Sequence, residues 1–256
     1  MSDNDILTKI SGSRVPHIIM PLPDHDFDPT ESATPWKMCT ERGWKVAFST
    51  EQGQVAQADH RLLMGPVRGP LGAWKKALAA YRRMTLDEAY LHPIPYAGIN
   101  PADYDAMLLP GGHAPGMRQY LDSSVLQGKA LQFWQKGKVI GAICHGVLVL
   151  ARAVDPQTGR SILYGSKVTA LTKSLERTGY LFTFWLLGRR YRTYPCYVAD
   201  EVRGCLERPQ DFSSGVSMWL PHVVVDGRLI TSRWPRDAAT FSQRFVEVVE
   251  RSVSDQ

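Results

Sequence analysis

Short, largely apolar runs alternate with amphipathic stretches along this chain. Residues 17–22, 44–49, 103–109, 138–143 and 167–171 read as strands buried within a sheet. Between and after them, 29–43, 123–137, 147–154, 174–187, 200–206 and 237–251 read as helices. The first helix carries a start signal with a mechanism. Asp28 can cap it, Pro29 suits its first position, Glu31 sits where a capping-box acid would, and Gly43 ends it. Val223-Val224-Val225-Asp226-Gly227-Arg228-Leu229-Ile230-Thr231 is a hairpin that turns on its Asp-Gly pair. Strands alternating with helices predict an α/β fold: a doubly wound, mostly parallel sheet with helices on both faces. No internal repeat or linker divides 1–256, so we expect a single domain.

Residues 51–100 interrupt the rhythm. Gly65-Pro66 and Gly69-Pro70 precede a helical run over 73–84 that is dotted with Lys75, Lys76, Arg82 and Arg83. The stretch reads as an insertion over the sheet edge, either a solvated surface helix or an inserted helical lid-like segment. Residues 1–14 are polar and expected to fray.

The chemistry gathers at the strand that ends on Cys144, with Gly141 before it, Gly146 after it and a helix-forming run beyond. A strand, a tight turn and a helix present a nucleophile at the edge of a parallel sheet. A thiol attacks as thiolate, and the start of a helix is expected to lower its pKa. The structural alternative is an inert buried cysteine; the flanking glycines and the adjacent His145 weigh against it. Backbone amides of His145 and of Gly112, in the loop Pro110-Gly111-Gly112-His113, are candidates to hold an oxyanion. His145 is the candidate base and needs an orienting carboxylate, for which Asp103, Asp105, Asp155 and Glu176 are available. Glu31 either caps its helix or faces Cys144, where a buried carboxyl would keep its proton and shuttle it.

Bulk composition narrows the classes. The chain has 256 residues, is 44% hydrophobic and can bury a sizeable core. A net charge of +5 favours acidic partners, yet the basic residues are scattered and no nucleic-acid-binding signature is present. Cys39, Cys144, Cys196 and Cys205 form no CxxC pair, and no leader or membrane-spanning apolar run is evident. We therefore expect a soluble, reduced, cytoplasmic protein with neither a nucleic-acid nor a membrane partner. Arg189, Arg190 and Arg192, in an Arg-Tyr-rich stretch over 189–197, are candidates to recognise an acidic group on a substrate.

Gly141-Ala142-Ile143-Cys144-His145-Gly146 and Tyr104-Asp105-Ala106-Met107-Leu108-Leu109-Pro110-Gly111-Gly112-His113 together resemble the ThiJ/PfpI (DJ-one) superfamily. The likeness runs from residue 17 to residue 249. Stretches 158–176 and 225–231 are similar to the branch that holds glutathione-independent glyoxalase III enzymes and heat-shock-type holding chaperones. The resemblance implies a flavodoxin-like fold related to class I glutamine amidotransferases. It assigns Cys144 as nucleophile, His145 as base, Glu176 as third triad member and Glu31 as the acid that touches the thiol. Gly111, Gly112 and His113 would surround the oxyanion and substrate. It further implies no metal, no cofactor, a small-molecule carbonyl or acyl substrate and a homodimer. The expected reaction turns a 2-oxoaldehyde such as methylglyoxal into a 2-hydroxy acid. Two other readings stay open: amide, nitrile or isonitrile hydrolysis or hydration, or a step on a bulkier metabolite; and a holding chaperone or oxidation sensor in which Cys144 becomes sulfinate. The 51–100 and 189–197 stretches depart from the glyoxalase members and predict a substrate larger than a two- or three-carbon aldehyde.

Overall fold

A computed structural model describes residues 14–64 and 74–255; the polar N-terminal stretch and the Gly65-Pro66 and Gly69-Pro70 breaks fall outside these, apart from Arg14. The chain opens with β1 (His17–Pro21), β2 (His25–Phe27), α1 (Pro29–Thr40), β3 (Lys45–Thr50) and β4 (Gln57–Ala58). It continues through α2 (His60–Met64), α3 (Lys75–Met84), α4 (Glu88–Leu91), β5 (Ile94–Pro95), β6 (Ala106–Leu109) and α5 (Met117–Leu121). Then come α6 (Ser124–Gln135), β7 (Val139–Ile143), α7 (Val147–Arg152), β8 (Val154–Asp155) and β9 (Arg160–Ser161). The last part holds α8 (Lys173–Leu187), α9 (Val198–Cys205), β10 (Val223–Asp226), β11 (Leu229–Ser232) and α10 (Ala238–Ser254).

Seven strands form the main sheet in the order β10-β11-β7-β6-β1-β3-β5. All neighbours are parallel except the β10-β11 hairpin. Helices cover the sheet, so β6 and β7 are buried at every position, as their unbroken apolar runs predict. From the other side of the helix-sheet boundary, α10 supplies Phe241, Phe245, Val246 and Val249 to the same core. The chain leaves β1 towards β3 and β5, then crosses back to β6, β7 and β11. That reversal, between β1 and β6, is a topological switch point, where a doubly wound sheet opens a crevice at its carboxyl edge. The loops after β1, β6 and β7 converge on it.

Three expectations change. Residues 167–171 form no strand: Val168 makes a single bridge to Phe212. Their amides are satisfied one by one instead, Lys167 by Asp226 Oδ2 at 2.7 Å, Val168 by Asp211 O at 3.0 Å and Thr169 by Thr231 Oγ1 at 2.9 Å. The segment is apolar because it is buried, not because it pairs in a ladder. The helix expected over 147–154 stops at Arg152, and Val154 joins the small β8-β9 hairpin. Finally, 51–64 and 74–100 are woven into the fold: β4 pairs with β2, β5 is the sheet edge beside β3, and α3 packs on α1. In α3, Ala77, Ala80 and Met84 turn inward while Lys75, Lys76, Arg82 and Arg83 stay in solvent, an amphipathic arrangement.

Candidate active site

Cys144 sits directly after β7 with φ of 59°, a left-handed conformation that costs a side-chain-bearing residue free energy and persists only where its surroundings enforce it. The enforcement is close packing against the loop after β6. A Cβ at Gly146 would lie 2.3 Å from Leu109 O, and one at Gly111 would lie 2.8 Å from both Glu31 Oε2 and His145 N. Only glycines let the elbow and the loop touch.

The loop after β1 delivers α1 to the same place. Asp28 accepts hydrogen bonds from the amides of Thr30 (2.7 Å) and Glu31 (3.2 Å) and so caps the helix by itself. Glu31 is thereby released from capping. Its Oε2 accepts the Gly111 N–H at 2.9 Å, its Oε1 has no conventional partner, and the carboxyl neighbours the Cys144 thiol. Burial is complete, and with Asp28 nearby it holds the Glu31 carboxyl well above the usual range. Burial and the Asp28 neighbour thus favour the protonated form of Glu31.

Around the sulfur, His145 Nδ1 stands 3.5 Å away and His113 Nε2 4.0 Å away, and the two rings meet edge to face at 4.9 Å. Burial pushes the thiol up, the Glu31 and Asp28 carboxyls push it further, and the His145 N–H pulls the other way. The lowering expected from a helix start is thus outweighed by burial. Burial also lowers His145 well below its ordinary value, with His113 and Arg152 adding to it, and brings His113 down to about 4. The resting site holds a thiol and two neutral imidazoles beside a carboxyl whose burial favours its protonated form. The donor atoms of His113, Cys144 and His145 lie within 4.8 Å of one another, a set that a thiophilic divalent metal could accept.

The other candidate residues are distributed as follows. Glu176 is not brought to His145: its Oε2 accepts the Val198 N–H at 3.1 Å, satisfying an orphan amide at the start of α9. Asp105 holds the His17 amide and pairs with Arg14, and Asp155 accepts the Gln157 amide at the surface. Among the described residues no carboxylate hydrogen-bonds the His145 ring. Arg190 pairs with Asp26 at 3.4 Å and Arg189 is exposed. From the same stretch, Tyr191 donates to Asp59 at 2.6 Å and Thr193 Oγ1 to His113 O at 2.7 Å, so the Arg-Tyr run clamps the His113 loop. The sequence reading passes over Tyr191, Thr193 and Asp59. A further group it passes over is Trp234 and Arg236, yet they follow β11, the parallel neighbour of β7, and the carboxyl-edge rule points to them.

Asp28 is itself 2% exposed, and burial outweighs its cap bonds to raise it from 3.8 to about 7. Because the folded value is the higher, the native state keeps a proton that the unfolded chain has shed between these two values. Stability therefore falls as pH rises through that window. Asp28→Asn keeps the cap acceptor and removes the titration. It is expected to flatten the slope and to exceed wild type by about 1–3 kcal/mol at pH 8. Urea unfolding at pH 5 and pH 8 checks this; an unaltered slope in the variant contradicts it.

These features define a doubly wound α/β protein with a cysteine on a strand-to-helix elbow at the switch point of its sheet. A family profile described as ThiJ/PfpI family-like matches residues 22–208, and the chain belongs to that family. It is 28% identical over 169 residues to an uncharacterised protein of Schizosaccharomyces pombe, which covers 63% of this chain and about three fifths (61%) of that relative. It is 26% identical over 227 residues, 85% of each chain, to a protein of the same yeast named glutathione-independent glyoxalase hsp3101. Its fold is that of the crystal structure of glyoxalase III from Candida albicans: TM-score 0.68 and 20% identity, over 93% of this chain and 98% of the other.

Proposed function

We propose that the protein is a cofactor-independent, glyoxalase III-like cysteine enzyme that turns 2-oxoaldehydes such as methylglyoxal into 2-hydroxy acids. The observation that carries the reading is one thiol, strained out on an elbow, with a neutral imidazole at 3.5 Å and a fully buried carboxyl, Glu31, beside it. In the first step Cys144 Sγ bonds to the aldehyde carbon while His145 Nδ1 takes the thiol proton. The resulting oxyanion lies where the amides of His145 and Gly112 donate, and Glu31 supplies its proton. The Glu31 carboxylate left behind takes the hydrogen on that carbon as a proton, giving an enediol, and returns it to the neighbouring carbon; the enediol oxygen on the sulfur-bearing carbon gives up its own proton as the 2-hydroxy thioester forms. Water then breaks the C–S bond, releasing the acid and restoring the thiol. One carbon is oxidised as its neighbour is reduced, so the sum is substrate plus water. Glu176 stands outside this proton path and acts on the scaffold, through α9.

Purified protein given methylglyoxal without glutathione is expected to form lactate; none formed sinks the reading.

A homodimer in the cytoplasm completes the proposal. All four cysteines are free thiols, as a reducing compartment keeps them, and no helix among the described residues is long and apolar enough to cross a membrane. Helix α8 exposes Leu181, Phe182, Phe184, Trp185 and Leu186 together, Trp185 at 92%. A contiguous apolar patch of this kind marks an association surface. Trp185→Glu is expected to convert a dimer into a monomer by light scattering behind gel filtration. A wild type that already elutes as a monomer rules this out.

A further inference from the structure

A cleft opens beside the His113 loop, next to the site of the thiol. His113, 4.0 Å from Cys144 Sγ, is the wall beside the reacting atom; Leu175, Tyr191, Trp74, Trp234 and Arg236 form other walls. Twelve of the described residues line the cleft, more wall than a three-carbon aldehyde can touch. Its lining is mainly apolar and aromatic, and it combines α8 with the β11-α10 connection and residues on either side of 65–73.

Two polar features within that lining have no hydrogen-bond or ion-pair partner among the described residues. The indole N–H of Trp234 is buried and meets no acceptor. The Arg236 guanidinium rests against ring faces, its carbon 5.6 Å from the Trp74 centroid, 5.0 Å from Trp219 and 5.7 Å from Trp234. Among the described residues no carboxylate pairs with it. Trp74 and Trp219 are 51% and 64% exposed, which places this cation-and-ring cluster at the mouth. A guanidinium held by aromatic faces keeps its N–H fork available for a carboxylate.

We propose that this cleft is a subsite for the body of the substrate, and that the natural 2-oxoaldehyde carries an aromatic or extended apolar group ending in a carboxylate. The inference rests on the aldehyde reading above. The apolar body lies along Leu175, Tyr191 and Trp234, and the carboxylate meets Arg236. Methylglyoxal, which has no such body, reaches the thiol without using these walls.

The test compares initial rates on methylglyoxal, phenylglyoxal and 4-carboxyphenylglyoxal, with the hydroxy acid separated by chromatography. The kcat/KM for phenylglyoxal is expected to exceed that for methylglyoxal by about tenfold or more. The carboxylated compound is expected to gain a further factor of about five, and added salt should erode that factor. Trp234→Ala should shrink the phenyl-to-methyl ratio about tenfold, and Arg236→Gln should abolish the carboxylate advantage. Ratios taken within one preparation do not depend on how much of a variant has folded. Methylglyoxal handled as well as the aryl compounds, or ratios unmoved by both substitutions, overturns the subsite. If none of the three aldehydes turns over, the aldehyde reading falls, and the subsite is judged by binding alone. Tryptophan fluorescence of Cys144→Ala should then report 4-carboxymandelate at least about tenfold tighter than lactate, and weaker in Cys144→Ala with Arg236→Gln. Equal affinity, or no binding of either acid, overturns it.

Discussion

Cys144→Ser is expected to stop lactate formation from methylglyoxal, with a loss on the order of 10⁴-fold or more, while the protein folds as before. The side chain is fully buried at the elbow, so the near-isosteric hydroxyl fills the same space and meets the same backbone. What it lacks is a group that His145, a neutral imidazole at 3.5 Å, can deprotonate during attack. The other cysteines supply internal controls. Cys39 lies on the buried face of α1, and burial pushes it up to about 12, so it stays unreactive. Cys196 is exposed, so iodoacetamide should label it in wild type and variant alike without touching activity. Lactate produced at a near wild-type rate by Cys144→Ser, with the fold intact by circular dichroism, removes the thiol from the chemistry.

How much of this was legible beforehand follows from which interactions are local. The elbow was legible: an unbroken apolar run between two glycines can be buried on both faces only within a parallel sheet, and β7 is. The start of α1 was legible too, because Asp28 and Pro29 act within one turn. Glu31 was half legible, since its two roles differ only by which way one side chain turns, and Gly111, eighty residues away, decides that. Residues 167–171 misled because burial and strand pairing leave the same apolar signature in sequence. The direction of the thiol's pKa was out of reach for a related reason. The helix start is local and visible, whereas burial by His113, Glu31 and Asp28 depends on three loops meeting at the switch point. Glu176 illustrates the limit of carrying roles across by resemblance, for its carboxylate is spent on the first amide of α9. Trp234 and Arg236 follow a strand whose position in the sheet only the topology reveals.

Glu31→Gln is the second large effect, and it separates proton transfer from packing. The amide has the carboxyl's shape, and its oxygen can still accept the Gly111 N–H, now at 2.9 Å from Oε2, so the loop after β6 should keep its place. It has no acidic proton to give to the oxyanion or to take back. The expected result is a fall in kcat of about 10²–10³-fold with KM changed little, the range for losing a general acid. The thiol should respond in the opposite sense. The Glu31 carboxylate, once formed at high pH, pushes the Cys144 thiol up, so a neutral amide removes that repulsion. The pH midpoint of Cys144 alkylation is therefore expected to move down in the variant even as turnover collapses. A nucleophile that is easier to ionise in a slower enzyme is the signature of a lost proton donor. A purely structural Glu31 would move neither quantity in this pattern, and an unchanged kcat in Glu31→Gln would leave the carboxyl a packing element only.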